Sequence, residues 1–151
     1  MRLKNKIAMV VGAGQTPGPT IGNGRATALL FAREGAQVLA VDRDIDSAQE
    51  TVELIQNEGG QGEAVAADVV DEASLEAAVK HCKEHLGRLD ILHNNVGISV
   101  TGGDASVTEI STEAFDRIIS VNLRGVVLAC KHALPVMRAQ GSGVIITISS
   151  I

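Results

Sequence analysis

A chain of 151 residues with 45% hydrophobic and 21% charged residues can bury a real core, so its composition excludes disordered, collagen-like and low-complexity proteins. Its net charge of −5 gives no electrostatic footprint for nucleic acid or an anionic membrane, and no apolar run reaches the length of a membrane span. The amino terminus lacks a signal-peptide layout, and two cysteines, Cys82 and Cys130, do not favour a disulfide framework, so we expect a cytoplasmic protein.

Short apolar runs alternate with helical patterns along the chain. Buried strands are predicted over residues 7–11, 37–41, 62–67, 89–93 and 143–148. Helices are predicted over residues 25–35, 46–58, 71–87 and 112–140, with a loop over 98–110 before the last one. Asp46 with Gln49 predicts a capping box for the second helix, and Pro135 predicts a kink or early end in the last.

This alternation predicts βαβ units, and therefore an α/β fold with a parallel sheet and helices on both faces. No internal repeat, linker or second domain is visible, so residues 1–151 are interpreted as a single domain. In an open α/β sheet, ligands bind outside the carboxyl ends of the strands. The residues that follow each predicted strand are therefore the ones to inspect for a site.

Five glycines lie between the first strand and the first helix, and four of them are candidate site residues: Gly12, Gly14, Gly22 and Gly24. Glycines permit a tight turn and close backbone approach, and the N–H groups at a helix amino end attract phosphate. Glycine loops are common between strand and helix, so this motif alone is weak. No Gly-Lys-Ser/Thr follows the glycines, which excludes a Walker phosphate loop.

Asp42 ends the second predicted strand, 18 residues beyond Gly24. In dinucleotide-binding proteins an acid about 20 residues beyond the glycines binds the adenosine ribose. A solvated turn aspartate is the alternative interpretation. A carboxylate here favours NAD because it would repel the 2′-phosphate of NADP, whereas the neighbouring Arg43 is a residue type that accepts that phosphate.

Six segments in order resemble the short-chain dehydrogenase/reductase family, and the resemblance covers the whole chain. They are GNGRATA at 22–28, VDRD at 41–44, Asp68 with Val69, NNVG at 94–97, VNLRG at 121–125 and ITISS at 146–150. The resemblance implies a Rossmann-like, doubly wound parallel sheet with strand order 3-2-1-4-5. It also implies an NAD(P)-dependent oxidoreductase that transfers hydride between nicotinamide and an alcohol or ketone.

The resemblance implies a set of cofactor-binding residues: Gly12, Gly22, Gly24, Asp42, Asp68, Val69, Asn94 and Gly97, with Gly14 as a further candidate. Asp42 would hold the ribose hydroxyls, and Asp68 with Val69 would flank the adenine. Asn94 and Gly97 would lie along the inner ribose and the nicotinamide. Without the resemblance, Asn94 would be interpreted as an ordinary turn residue.

Two catalytic residues are implied in the same way. Ser150 takes the place of the serine that hydrogen-bonds the substrate oxygen, although a routine strand-end serine is the alternative. Asn122 takes the place of the asparagine that supports the proton relay. It lies on a helix face that the apolar pattern predicts to be core, so we expect a buried amide that links the helix to a neighbouring strand.

The sequence departs from the family pattern in its first loop and in its catalytic residues. Val11 stands where the family has a threonine, and residues 16–21 are interpreted as an insertion before Gly22. The family's catalytic Tyr-x-x-x-Lys pair lies about a dozen residues after the serine, but this chain ends at Ile151 and contains no tyrosine. We therefore expect the sheet to be cut short after its fifth strand and the chain alone to be inactive.

No histidine is expected to replace the tyrosine, and no metal site is expected. His81 and His85 lack the glutamate of a zinc motif and are predicted to face solvent. His93 closes a strand and is interpreted as structural, and His132 has no visible partner.

Two functions remain open from the sequence. The chain is the cofactor-binding part of an NAD-dependent oxidoreductase acting on a small alcohol or carbonyl compound, or it is a dinucleotide- or partner-binding module without catalysis. A methyltransferase is a weaker third option, against which NNVG and the final Ser-Ser pair count. The bare apolar edge of the fifth strand and the family's use of the long helix in subunit contacts predict a homo-oligomer.

Overall fold

A computed structural model describes residues 1–149, which form a sheet of five strands surrounded by helices. The strands are β1 Ile7–Val11, β2 Gln37–Asp42, β3 Gln61–Ala66, β4 Ile91–Asn94 and β5 Val144–Thr147. The helices are α1 Asn23–Arg33, α2 Ile45–Asn57, α3 Glu72–Leu86, α4 Thr112–Ile119 and α5 Gly125–Ala139. A 3-10 turn lies at Val100–Gly102, and a π turn at Ser120–Arg124 joins α4 to α5.

The sheet is parallel throughout, and its strand order is β3-β2-β1-β4-β5. This confirms the predicted doubly wound order. At the carboxyl ends, Val11 of β1 lies opposite Val41 and Asn94, and Asn94 lies opposite Thr147 of β5. The ends of four strands are therefore level, and the residues that follow them meet at one edge of the sheet.

The alternation of side chains along β1 explains the two layers of helices. Ile7, Met9 and Val11 belong to the cluster packed under α3 and α5, whereas Val10 packs with α1 and α2. All of β1 is buried, as its continuous apolar sequence predicts for a central parallel strand. Each such side chain contributes about 1.5–3 kcal/mol of transfer free energy, so the packing of β1 fixes both faces at once.

The helix ends follow the sequence, with one correction. Gly35 and Gly87 adopt positive φ angles of +92° and +82° after α1 and α3, as expected of glycines that end helices. The predicted capping box at Asp46 is wrong. The cap of α2 is Asp44, whose carboxylate accepts the Ser47 N–H at 3.3 Å, and Asp46 lies inside the first turn.

The predicted helix over residues 112–140 is present as three consecutive helical segments. The π turn at Ser120–Arg124 interrupts the regular α-helix, and such turns occur frequently at functional sites. Pro135 lies inside α5, which continues for four residues beyond it to Ala139. The apolar pattern did not show the π turn, and none of its residues is buried.

A buried carboxylate joins the amino ends of β1 and β4. Asp90 accepts the Ile7 N–H at 2.9 Å and receives two hydrogen bonds from the Arg88 guanidinium at 2.8 and 2.6 Å. The Lys6 ammonium lies 3.6 Å away. Burial alone would raise the pKa of Asp90, but these hydrogen bonds and charges outweigh it and hold that pKa below its ordinary value.

Within residues 1–149, none of the helices combines the length and the apolar composition needed to cross a membrane.

Candidate functional site

The site lies where β1, β2 and β4 end and the strand order reverses. Gly12 follows β1, Asp42 closes β2 and Asn94 closes β4. In a doubly wound sheet, the loops at such a reversal diverge to opposite faces and leave a crevice between them. The sheet therefore brings these three sequence-predicted residues to one edge.

At three of the four candidate glycines an added Cβ would meet a neighbouring atom closely. A Cβ on Gly12, whose φ is +83°, would lie 2.8 Å from Val96 Cγ2. A Cβ on Gly14 would lie 2.7 Å from Asp42 Oδ2, and one on Gly24 would overlap the carbonyl oxygen of Gly12. Gly24 is packed directly on the backbone of Gly12, while Gly12 and Gly14 lie against the side chains of Val96 and Asp42, so the glycines themselves form a concave cradle.

The fourth candidate glycine, Gly22, is the cap residue of α1 and has no side chain of its own with which to cap the helix. Its N–H donates to Gln15 Oε1 at 2.7 Å. A Cβ at Gly22 would find its nearest neighbour at 3.5 Å, so the position is not sterically closed. Because the first N–H groups of a helix lack intrahelical partners, the amino end of α1 remains available to an anion.

A polar network that the sequence reasoning missed supports the cradle from α2. Arg25 donates to Thr51 Oγ1 at 2.9 Å and to the Ser47 carbonyl at 3.0 Å. Thr51 Oγ1 in turn donates to the Ala13 carbonyl at 2.7 Å, and Ser47 Oγ accepts the Gln15 N–H at 2.7 Å. A cation in the first turn of a helix opposes the helix dipole. The position of Arg25 within GNGRATA was therefore the one sign in the sequence that this side chain has a specific partner.

Asp42 is held against the glycine loop. Its Oδ2 accepts the Gly14 N–H at 2.9 Å, and its Oδ1 accepts the Asp44 N–H at 3.1 Å. The neighbouring Arg43 is exposed. The carboxylate at the end of β2 is therefore fixed in position beside Gly14.

Asp68 and Val69 occupy different environments. Asp68 Oδ1 accepts the Val70 N–H at 3.1 Å, which fixes a turn after β3. Val69 is buried and packs on Gly125, where a Cβ would lie 2.8 Å from the Val69 Cβ. Val69 and Asn94 line one apolar cleft, so the structure brings these two predicted residues together.

The asparagines of NNVG make different contacts. Asn94 is 4% exposed, and its Nδ2 lies 3.5 Å from Thr147 Oγ1 and 3.9 Å from Cys130 Sγ. Asn95, which the sequence did not single out as a site residue, donates to the Gly12 carbonyl at 3.3 Å. Asn95 therefore ties the loop after β4 to the cradle after β1.

Asn122 is exposed, so the expectation of a buried amide linked to a strand is wrong. Its Oδ1 accepts the Ile98 N–H and its Nδ2 donates to the Ile98 carbonyl, both at 2.8 Å. A Cβ on Gly97 would lie 3.8 Å from the same Oδ1. The π turn changes the helical period at this point, so the apolar pattern that placed Asn122 on the core face does not apply.

Replacing Asn122 by aspartate should loosen the loop after β4. The carboxylate still accepts the Ile98 N–H, but it repels the Ile98 carbonyl oxygen, so we expect a loss of about 1 kcal/mol in local stability. Amide exchange at Ile98 measures this loss, and Asn57→Asp, an exposed change at the end of α2, is the matched control. Unchanged exchange at Ile98 in Asn122→Asp would contradict this pairing.

Ser150, the predicted catalytic serine, lies outside the described residues.

His93 is buried, with its ring edge against Phe31, and burial lowers its pKa, so the ring is neutral at pH 7. This agrees with its interpretation as structural. His132 does have a partner, contrary to expectation: its Nε2 lies 3.1 Å from Glu72 Oε1 on α3.

The remaining histidines and the cysteines offer no nucleophile or metal centre. His81 Nε2 lies 2.8 Å from Glu63 Oε2, and its ring stacks on His85, so His81 is only partly solvated. Burial raises the pKa of Cys82 to about 12 and also raises that of Cys130, so both remain protonated thiols at pH 7. Among residues 1–149, no group of three or more metal-ligating side chains is positioned to hold a metal ion.

Comparison with known proteins identifies relatives along the whole chain. A family model described as short chain dehydrogenase matches residues 6–151. An oxidoreductase of Bacillus subtilis (strain 168), YxbG, described as uncharacterized, is 43% identical over 148 residues, which are 98% of this chain and 51% of the relative. Levodione reductase of Leifsonia aquatica is 36% identical over 153 residues, which cover 99% of this chain and 54% of the relative.

Solved structures share the fold. A 7α-hydroxysteroid dehydrogenase complexed with NADH and 7-oxo glycochenodeoxycholic acid superposes with a TM-score of 0.88 at 34% identity, covering 99% of this chain and 55% of that one. The chain thus spans about half the length of the curated relatives and solved structures that it matches.

Proposed function

Because the chain belongs to the short-chain dehydrogenase family, we propose that residues 1–151 form a dinucleotide-binding domain of an oxidoreductase that uses NAD and acts on a small alcohol or carbonyl compound. The observation that carries this proposal is the glycine cradle, in which Gly24 packs on the Gly12 carbonyl and the Gly14 N–H donates to Asp42. A bulky phosphate group needs this kind of concave backbone surface beside a helix amino end.

The residues fit such a cofactor. Gly12, Gly14, Gly22 and Gly24 would hold the pyrophosphate, and Asp42 would accept from the ribose hydroxyls. Asp68 with Val69 would border the adenine, and Asn94 with Gly97 the inner ribose and nicotinamide. The hydride chemistry is supplied by the nicotinamide when bound; the chain's own residues hold and orient the dinucleotide.

The catalytic roles are proposals as well. Ser150 would hydrogen-bond the substrate oxygen, and Asn122 would support the proton relay through the loop that it holds at Ile98. The 151 residues contain no tyrosine, so the proton-exchanging tyrosine of the family is not among them. We therefore expect these residues by themselves to bind the nucleotide without turnover.

The second candidate function is a dinucleotide-binding module without catalysis, which the glycine cradle beside Asp42 supports equally well. The two proposals differ in one measurement. NADH oxidation with a panel of small ketones by the complete gene product supports the oxidoreductase, whereas nucleotide binding without oxidation supports the module.

Preference for NAD is expected to depend on Asp42. Its fixed carboxylate would lie beside the added 2′-phosphate of NADPH, so NADH should bind about tenfold more tightly than NADPH. Asp42→Ala should narrow that difference, and Asp46→Ala, an exposed change in α2, should preserve it. Titration by nucleotide fluorescence is undisturbed by tryptophan or tyrosine, which this chain lacks. Equal affinities in the wild type would overturn the NAD assignment.

Assembly with further copies of the chain is part of the proposal. Exposed apolar side chains follow one another on α4, the π turn and α5: Phe115, Ile119, Leu123, Val127 and Leu134. This surface supports a homo-oligomer. The low cysteine content supports a cytoplasmic location.

A further inference from the structure

One side chain joins both ends of the inserted loop at residues 16–21. Gln15 Oε1 accepts the Gly22 N–H at 2.7 Å, where the loop returns to α1. Gln15 Nε2 donates to the carbonyls of Thr16 at 2.6 Å and Thr20 at 3.0 Å, near the start and the end of the loop. The loop is therefore closed by a single amide, and within residues 1–149 no other side chain hydrogen-bonds both of its ends.

Gln15 is itself anchored. Its N–H donates to Ser47 Oγ at 2.7 Å, and the Ser47 carbonyl accepts from Arg25 at 3.0 Å. The side chain of Arg25 is only 10% exposed and also pairs with Glu50 at 3.0 Å. The backbone of Gln15 is thus held by Ser47 of α2, and Ser47 is held in turn by Arg25 of α1.

The composition of the loop explains why a clamp is needed. Pro17 and Pro19 have fixed φ angles, and Gly18 between them lies in open space, where a Cβ would find its nearest neighbour at 3.9 Å. The loop is therefore stiff along its chain but makes few packing contacts at its centre. Gly22 has no side chain with which to fix the amino end of α1. The hydrogen bonds of Gln15 hold the 16–21 loop and the amino end of α1 in one arrangement.

We propose that Gln15 is a positioning residue for the dinucleotide, whose side-chain amide pre-orders the 16–21 loop and the amino end of α1 for the pyrophosphate. This inference rests on the proposed function. Gln15 acts through Gly22 and the loop rather than by contact with the reacting atoms. A loop ordered during folding does not have to be ordered during binding, so the clamp increases the affinity for ligands that carry the diphosphate.

The test compares the full chain with its Gln15→Ala and Gln15→Glu variants, using NADH, ADP and adenosine as probes. Gln15→Ala should lower the affinities for NADH and ADP about tenfold, and it should leave the affinity for adenosine within about twofold of the wild-type value. The reason is that only the diphosphate would contact the loop. Gln15→Glu keeps the acceptor for Gly22 but loses both donors and adds a negative charge, so NADH should bind still more weakly. Gln56→Ala, an exposed glutamine of α2, should bind like the wild type.

Amide exchange without nucleotide provides an independent readout: residues 16–22 should exchange faster in Gln15→Ala than in Gln56→Ala. Equal NADH affinity in the wild type and Gln15→Ala overturns the inference while leaving the proposed function intact. Equal losses of affinity for ADP and adenosine in Gln15→Ala also overturn the inference, because they indicate a general structural defect. If the wild type binds neither NADH nor NADPH, the proposed function fails, and the inference fails with it.

Discussion

Gly24→Ala is expected to lower the free energy of unfolding by about 3 kcal/mol and to abolish nucleotide binding. The new methyl group would overlap the Gly12 carbonyl and lie 2.8 Å from Asn95 Nδ2. Both groups are main-chain or hydrogen-bonded atoms, so α1 must move away from β1. That movement opens the backbone contact on which the cradle depends. Denaturant unfolding and NADH titration measure the two effects.

Gly18→Ala is the matched control because it adds the same methyl group to the loop that leads into α1. The nearest neighbour of that Cβ would be the Thr16 carbonyl at 3.9 Å, an ordinary contact. This variant should unfold and bind NADH like the wild type. Similar behaviour of Gly18→Ala and Gly24→Ala would show that the loop responds to any substitution, and the close approach of Gly24 would then not explain the cradle.

Asp90→Asn is expected to cost about 2–3 kcal/mol of stability at pH 7. The carboxylate is 5% exposed and is the shared acceptor of Arg88 and the Ile7 N–H. An amide has one acceptor oxygen and no charge, so both partners lose part of their interaction. The Arg88 guanidinium is half-exposed, so water can replace part of its lost interaction with the carboxylate. The expected loss of stability is therefore small for the breaking of a buried ion pair.

The cost of Asp90→Asn should depend on pH in a defined direction. The folded protein holds the pKa of Asp90 below its ordinary value of 3.8, so the stabilisation is fully present above about pH 5 and is lost as the pH falls through the folded pKa. The stability difference between wild type and variant should therefore shrink in acid. Urea unfolding at pH 7 and pH 3 measures it, with exposed Asp116→Asn as the control. A constant difference across that range would contradict the shifted pKa.

Local patterns predicted the elements and several of their ends. The continuous apolar run at residues 7–11 corresponds to β1, and Gly35 and Gly87 end their helices as predicted. These features depend on side chains within a few residues, which the sequence displays directly. The capping box predicted at Asp46 is wrong, because the Asp44 carboxylate is the one that reaches the Ser47 N–H and caps α2.

Contacts between distant residues escaped the sequence reasoning. Glu72 lies 60 positions before His132, and their pairing depends on how α3 packs on α5. The Thr51 contact with Ala13 likewise depends on the placement of α2 beside the first loop. No periodicity relates such residues, because they meet only after the sheet and helices have assembled.

The sequence by itself determined the α/β class, because its alternating apolar runs and helical patterns require βαβ units, and its motifs carried the family resemblance that implied the order of the strands. Only the tertiary structure decided that Gln15 closes the first loop and that Asn122 faces outward to hold Ile98. The physical reason is that burial depends on composition and period, which are local. Hydrogen-bond partners depend on distances of a few ångströms between segments, which exist only in the folded chain.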